Sequence, residues 1–180
     1  EVVAKLNNVA NCDLKDEEKD KAKVEIAAYE YDNSTKKITK ILKKKSDILM
    51  TIPWTKKSVL LAVEPKTEYS SYSRVMFSSN GVSKEKVVNN NIISLSKLNV
   101  GTQINADSYA NLYVVDVNLF LKAVYNIAVD VNNIGIKSNE LTVQIDKEAP
   151  SINVINETGW AKDKKTVKLR GTDGAGSGLK

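Results

Sequence analysis

Tyr125-Asn-Ile-Ala-Val-Asp-Val-Asn-Asn-Ile-Gly-Ile-Lys-Ser-Asn-Glu-Leu-Thr-Val-Gln-Ile145 holds two runs of alternation around one turn signal. Tyr125, Ile127, Val129 and Val131 alternate with Asn126, Ala128, Asp130 and Asn132. A period of two sends the first set toward a core and the second toward solvent, which is the pattern of a half-buried strand. Asn132-Asn-Ile-Gly135 reads as the turn, with Gly135 free to take a positive φ. Residues 138–145 return as the next strand and bury Leu141, Val143 and Ile145. Asp146-Lys-Glu-Ala-Pro150 then forms a short linker, and Pro150, which lacks a backbone donor, suits the entry to an edge strand that starts at Ser151.

The same pattern recurs upstream. Val24 and Ile26 share one face of an extended run over residues 23–31, Asp32-Asn-Ser-Thr35 supplies side chains that bond locally to the backbone, and residues 37–42 resume the extended pattern. Further strands are expected over residues 59–63, 73–77 and 112–117. Three segments stay open. Residues 13–22 suit a short helix capped by Asp13 or an exposed charged loop, residues 83–103 suit strand, irregular loop or both, and residues 119–124 suit a buried strand or one helical turn.

Landmarks repeat in one order. The turn at Asp32 matches that at Asn132, Ile48 matches Ile152, and Trp54 matches Trp160, at offsets of 100, 104 and 106. Such a period is close to the roughly 100 residues of an immunoglobulin-like sandwich.

Composition narrows the chemistry. The 180 residues hold one cysteine, Cys12, and no histidine. An intramolecular disulfide, the common zinc ligand sets and the Ser–His and Cys–His nucleophiles are therefore excluded. The net charge of +5 sets 25 Lys and only 2 Arg against 22 Asp and Glu. It reads as a solvated surface and not as a nucleic-acid interface, which favours Arg interleaved with aromatic residues. No run is long and apolar enough for a membrane span. The acids Asp16, Glu17, Glu18 and Asp20 crowd one charged run and do not suit a glycosidase pair converging across a cleft. The glycines from Gly171 to Gly178 lack the Lys and following helix of a phosphate loop and read as a turn.

Residues 120–180 resemble the bacterial immunoglobulin-like modules of Gram-positive surface and secreted proteins. Those modules close with Tyr-x-Val-x-Val-x-Ala-x-Asp-x-Ala-Gly-Asn-x-Ser and then Ile-Asp-Lys-Thr-Ala-Pro. Here the matching runs are residues 125–138 and Ile145-Asp-Lys-Glu-Ala-Pro150. The opening of a following module is matched by Trp160, Thr166-Val-Lys-Leu and Thr172-Asp-Gly-Ala-Gly-Ser-Gly178. Asn132 stands where the pattern has Asp, and Ile136 where it has Asn.

The resemblance implies an all-β chain of immunoglobulin-like β-sandwich modules in tandem, truncated at both ends. Residues 1–46 would be the C-terminal part of one module, 47–147 a whole module and 148–180 the N-terminal part of another, with 148–180 packing weakly on the rest and 166–171 extended but poorly paired. The implied function is non-enzymatic: a spacer, stalk or adhesion-supporting segment at the cell surface or outside the cell. Its partners would be neighbouring modules and cell-wall or host glycans or proteins, with no nucleic acid. The alternative is a glycan-binding accessory module beside a secreted hydrolase, for which Tyr69, Tyr72 and Tyr109 are the aromatic candidates and Trp54 and Trp160 the core-packing ones. No cofactor is expected. Calcium is the one ion the junction acids Asp130, Asp146, Glu148 and Asp173 would suit, against a reading of the same side chains as turn and cap acceptors.

Overall fold

Val24–Asp32 (β1) and Lys37–Lys43 (β2) form the first hairpin of the computed structural model, which describes residues 24–49, 51–65, 72–79, 82–116, 123–131, 134–137, 141–155 and 166–172. Its turn is made as the sequence leads one to expect. Asp32 Oδ1 accepts from the Ser34 and Thr35 backbone N–H groups and from the Ser34 hydroxyl, at 2.6–3.3 Å. Lys36 closes the turn at φ 57°.

The other strands are Ser58–Pro65 (β3), Tyr72–Ser79 (β4), Val82–Val87 (β5), Leu112–Val115 (β6), Ala123–Val131 (β7), Ile134–Lys137 (β8), Leu141–Val143 (β9), Ser151–Val154 (β10) and Leu169–Thr172 (β11). They form an antiparallel sheet of order β2-β1-β3-β6, a second of order β5-β4-β7-β8 in which β9 also pairs with β7, and the two-stranded ribbon β10-β11. The described residues are therefore all-β, apart from 3-10 turns at Leu95–Lys97 and Ala106–Ser108.

The two larger sheets share one core. Val24, Ile26, Ala28, Val59, Leu61, Val63 and Val115 from the first sheet meet Val75, Phe77, Leu141 and Val143 from the second, with Ile52 and Ile145 at the margin. Phe77 and Tyr113 stack across it at 5.0 Å. The first sheet is also buried on its other face. Ala27, Tyr29, Tyr31, Leu60, Ala62 and Leu112 pack there against Leu95, Leu98, Ile104 and Ala106 of the stretch between β5 and β6. This double burial explains why β3 reads Val-Leu-Leu-Ala-Val without alternation: both of its faces need apolar side chains.

Three strand pairings bear on these expectations. First, β1 pairs with β3 over eight residue pairs, from Val24↔Pro65 to Tyr31↔Ser58. A boundary after residue 46 would fall between two paired strands of this sheet. Second, Val131 pairs with Ile134 and Asp130 with Gly135. The return strand thus begins before Ser138, and Gly135 lies within β8 and not in the turn. Third, Leu169–Thr172 pairs fully with Ser151–Val154. Pairing is good there, although every side chain of the ribbon is exposed, as weak packing on the rest requires.

The open segment 83–103 proves to be both things. It is strand through Val87, then irregular to the turn at Gly101, where φ is +90°. Residues 13–22 and most of 119–124 lie outside the described residues, as does the side-chain placement of β7 and β8.

Candidate functional site

The chain leaves the two-sheet body through a knot of hydrogen bonds around Asp116. Its Oδ1 accepts from the Ser58 hydroxyl at 2.6 Å and from the Lys147 ammonium, and its Oδ2 accepts from Asn33 Nδ2 at 2.8 Å. One carboxylate thereby ties together the β1–β2 turn, the start of β3 and the exit linker. Lys147 and then Ser58 are the chief causes that hold its pKa down at about 2, so it is ionised at neutral pH.

Beside this knot, residues 51–55 run parallel to 142–145. Bridges join Thr51 to Thr142 and Thr55 to Ile145, and Ile52, Thr55 and Asp146 N–H groups donate across the gap at 2.9–3.1 Å. The buried Gln144 amide adds a bond from Nε2 to the Ile52 carbonyl. Thr55 in turn donates its hydroxyl to Glu30 of β1 at 2.7 Å. The end of the body is cross-linked to the hairpin, to β3 and to the segment before β3.

Of the four junction acids, Asp146 and Glu148 have described side chains. Asp146 is buried, and its Oδ1 accepts from the Glu148 N–H at 3.1 Å, as a turn acceptor does. Glu148 is exposed, Asp130 lies on β7 opposite Gly135 in a stretch described by backbone alone, and Asp173 lies outside the described residues. Among the described residues no three acid, His or Cys side chains converge as a metal site would require.

Of the aromatic candidates, Tyr109 and Trp54 have described side chains. Tyr109 is half-buried against the second core. Tyr69 and Trp160 lie outside the described residues, and Tyr72 begins β4 where its backbone alone is described. Trp54 is half-buried between the two parallel bridges.

Sequence reasoning missed Lys86 and Asn111, which hold the irregular stretch in place. The Lys86 ammonium donates to the Ala106, Tyr109 and Leu112 carbonyls at 2.5–3.3 Å, and burial pushes its pKa down. Asn111 is fully buried, with Nδ2 donating to the Val63 and Ile93 carbonyls and Oδ1 accepting from the Ile93 N–H. Two clefts flank the stretch they fix. One is polar, about 220 Å³, and lies between Asn33, Lys36, Asp107 and Asp116. The other is about 230 Å³ and lies over Tyr29, Ile41, Leu95 and Leu98.

No protein-family model matches the chain, and neither the curated proteins nor the solved structures give a match. Among the described residues no helix is long and apolar enough to cross a membrane.

Proposed function

We propose that this chain is a spacer segment of immunoglobulin-like modules, serving as a stalk or adhesion support in a bacterial cell-surface or secreted protein. The observation that carries the reading is the cross-linked exit: the last pairing at Ile145 is followed at once by Asp146, by Lys147 bonded to Asp116, and by a linker that enters β10 at Ser151. A linker this short and this tied limits the freedom of whatever follows it, and restricted freedom is what a spacer needs.

Strand connectivity supports the module reading. Strands β3, β4, β5, β6, β7 and β9 pair as the B, C, C′, E, F and G strands of such a sandwich do: β3 with β6, β4 with β5 and β7, and β7 with β9. Residues 51–55, parallel to the final strand, fit a short first strand. The irregular stretch over residues 88–111 takes the place of strand D, and β1–β2 extends the sheet beyond B. On this reading β10–β11 opens a further module. Ile152, Val154, Val167 and Leu169 alternate onto one face, and all are exposed.

The glycan-binding alternative needs an exposed aromatic row, and among the described residues Tyr29, Tyr31 and Phe77 are buried. Spin labels at Lys57→Cys and Arg170→Cys, in a Cys12→Ser background, measure how freely the ribbon moves on the body. A narrow distance distribution is expected, together with no retention on a glycan array. A distribution as broad as that of a flexible linker would sink the spacer reading.

A further inference from the structure

The described body is entered at one end and left at the other. Val24 opens β1 beside Pro65, the last residue of β3, and Lys45 marks that end by reaching both Glu25 at 3.7 Å and Glu64 at 2.7 Å. Tyr31, near the close of β1, lies opposite Ser58, the first residue of β3. Ser58 and Asn33 are the residues that Asp116 joins to Lys147, so the chain leaves where β1 ends. The nine residues of β1 therefore span the body from entry to exit, a length of roughly 30 Å.

Tension applied at the two ends acts along β1 and not across it. The strand is held on both edges, by eight residue pairs with β3 and five with β2. It is buried on both faces as well: Val24, Ile26 and Ala28 lie in the inter-sheet core, and Ala27, Tyr29 and Tyr31 in the outer one. Two side-chain bonds add to the hold, from Lys43 Nζ to the Ile26 carbonyl at 2.8 Å and from the Tyr31 hydroxyl to the Ile104 carbonyl at 2.7 Å. Drawing β1 out lengthwise must break its pairs together and strip both faces at once, whereas a strand pulled sideways loses its pairs one at a time.

The exit is loaded in the same way. Residues 142–145 lead to it, and residues 51–55, on the side of the chain that leads back to β1, run parallel to them. Pulling the C-terminal side of one segment of a parallel pair against the N-terminal side of the other slides the two past each other and cannot unzip them. Sliding must break the bonds that the Ile52, Thr55 and Asp146 N–H groups and the Gln144 amide make across the gap.

We propose that the body is a tension-bearing link, in which load entering at Val24 and leaving at Lys147 is carried lengthwise by β1 and by the parallel pair 51–55 and 142–145, so that the body gives way in a single step at high force. The property rests on the spacer reading for its use, because a spacer under pull keeps its length only while its modules hold.

Unfolding force reports the barrier along the direction of pull and not the equilibrium stability, so one protein is pulled in two directions. The full chain, in a Cys12→Ser background, is held by a handle at its N-terminus and by a thiol at either Glu148→Cys or Lys44→Cys in single-molecule force spectroscopy. Both positions are exposed, so neither thiol disturbs the packing. Glu148 loads the body end to end. Lys44 follows β2, whose last residue lies beside Ala28, so the same pull opens the edge strand β2 pair by pair. Both arms pass force through the same residues ahead of Val24, which therefore cannot account for a difference. The Glu148 arm should yield in one step that releases about 40 nm of chain. Its force should be severalfold above that of the first opening in the Lys44 arm, which should release only a few nanometres. Equal forces in the two arms, or release from Glu148 in small successive steps, would overturn the proposal. Unequal forces beside a broad spin-label distance distribution would remove the spacer reading and leave the link standing, and equal forces beside a narrow distribution would do the reverse.

Discussion

Asp116 is the residue on which the exit of the body depends. It is only partly buried, so its worth lies in where its three bonds lead and not in stored electrostatic energy. Its carboxyl is depressed from an ordinary value of 3.8 to about 2. A depressed carboxylate stabilises the folded form above the unfolded pKa and loses that contribution as pH falls through the folded one. The Lys147 contact should thus persist from neutral pH down to about 4 and be lost as pH falls toward 2, a change that a carboxyl-carbon NMR titration of Asp116 against the Lys147 side chain would follow. A midpoint near 3.8 would mean that the contact does not hold in solution. Little of this could be read from sequence. An Asp after a strand resembles any turn residue, and its partners lie 83, 58 and 31 positions away. Asn111 was hidden in the same way, because nothing local distinguishes a buried Asn that pins two backbones from an exposed one. Asp32 was legible, since the donors to its carboxylate lie within three residues.

Strands divide along the same line. The period of two found the β1–β2 hairpin and placed Leu141, Val143 and Ile145 in the core, because alternation is a local property that burial on one face imposes. It could not tell which edge β1 would join, since pairing partners are chosen by distant complementarity. The one clue was the unbroken apolar run of β3, which announces burial on two faces. Two elements with similar sequence patterns should accordingly differ in energy. Leu61 is fully buried between the sheets, whereas Leu169 is 61% exposed on the ribbon. Leu61→Ala should cost about 2–5 kcal/mol in denaturant unfolding, and Leu169→Ser less than about 0.5 kcal/mol. Comparable losses from the two would mean that the ribbon is packed against something in solution.

The largest consequence of the β1–β3 pairing concerns what folds as a unit. The sequence resemblance makes residues 47–147 a self-sufficient module. The structure gives β3 an eight-residue antiparallel neighbour from outside that range and completes the shared core with Val24, Ile26, Ala28 and Leu42. Removing residues 1–46 would expose the full edge of a central strand, open the inter-sheet core along one side and uncover Leu60 and Ala62 on the outer face, where Ala27, Tyr29 and Tyr31 now pack. A strand edge so exposed is also a template for association with other chains. A fragment of residues 47–147 should therefore fail to give a cooperative thermal transition, or should aggregate. Residues 24–147 should unfold as one unit, with slow amide exchange in β1 and β3 together. If residues 47–147 instead melt cooperatively as a monomer, β1–β2 is an accessory to a complete sandwich, and the boundary suggested by the repeat at Asp32 and Asn132 is the physical one. The contrast between the two fragments separates an edge that is merely covered from one on which the fold depends.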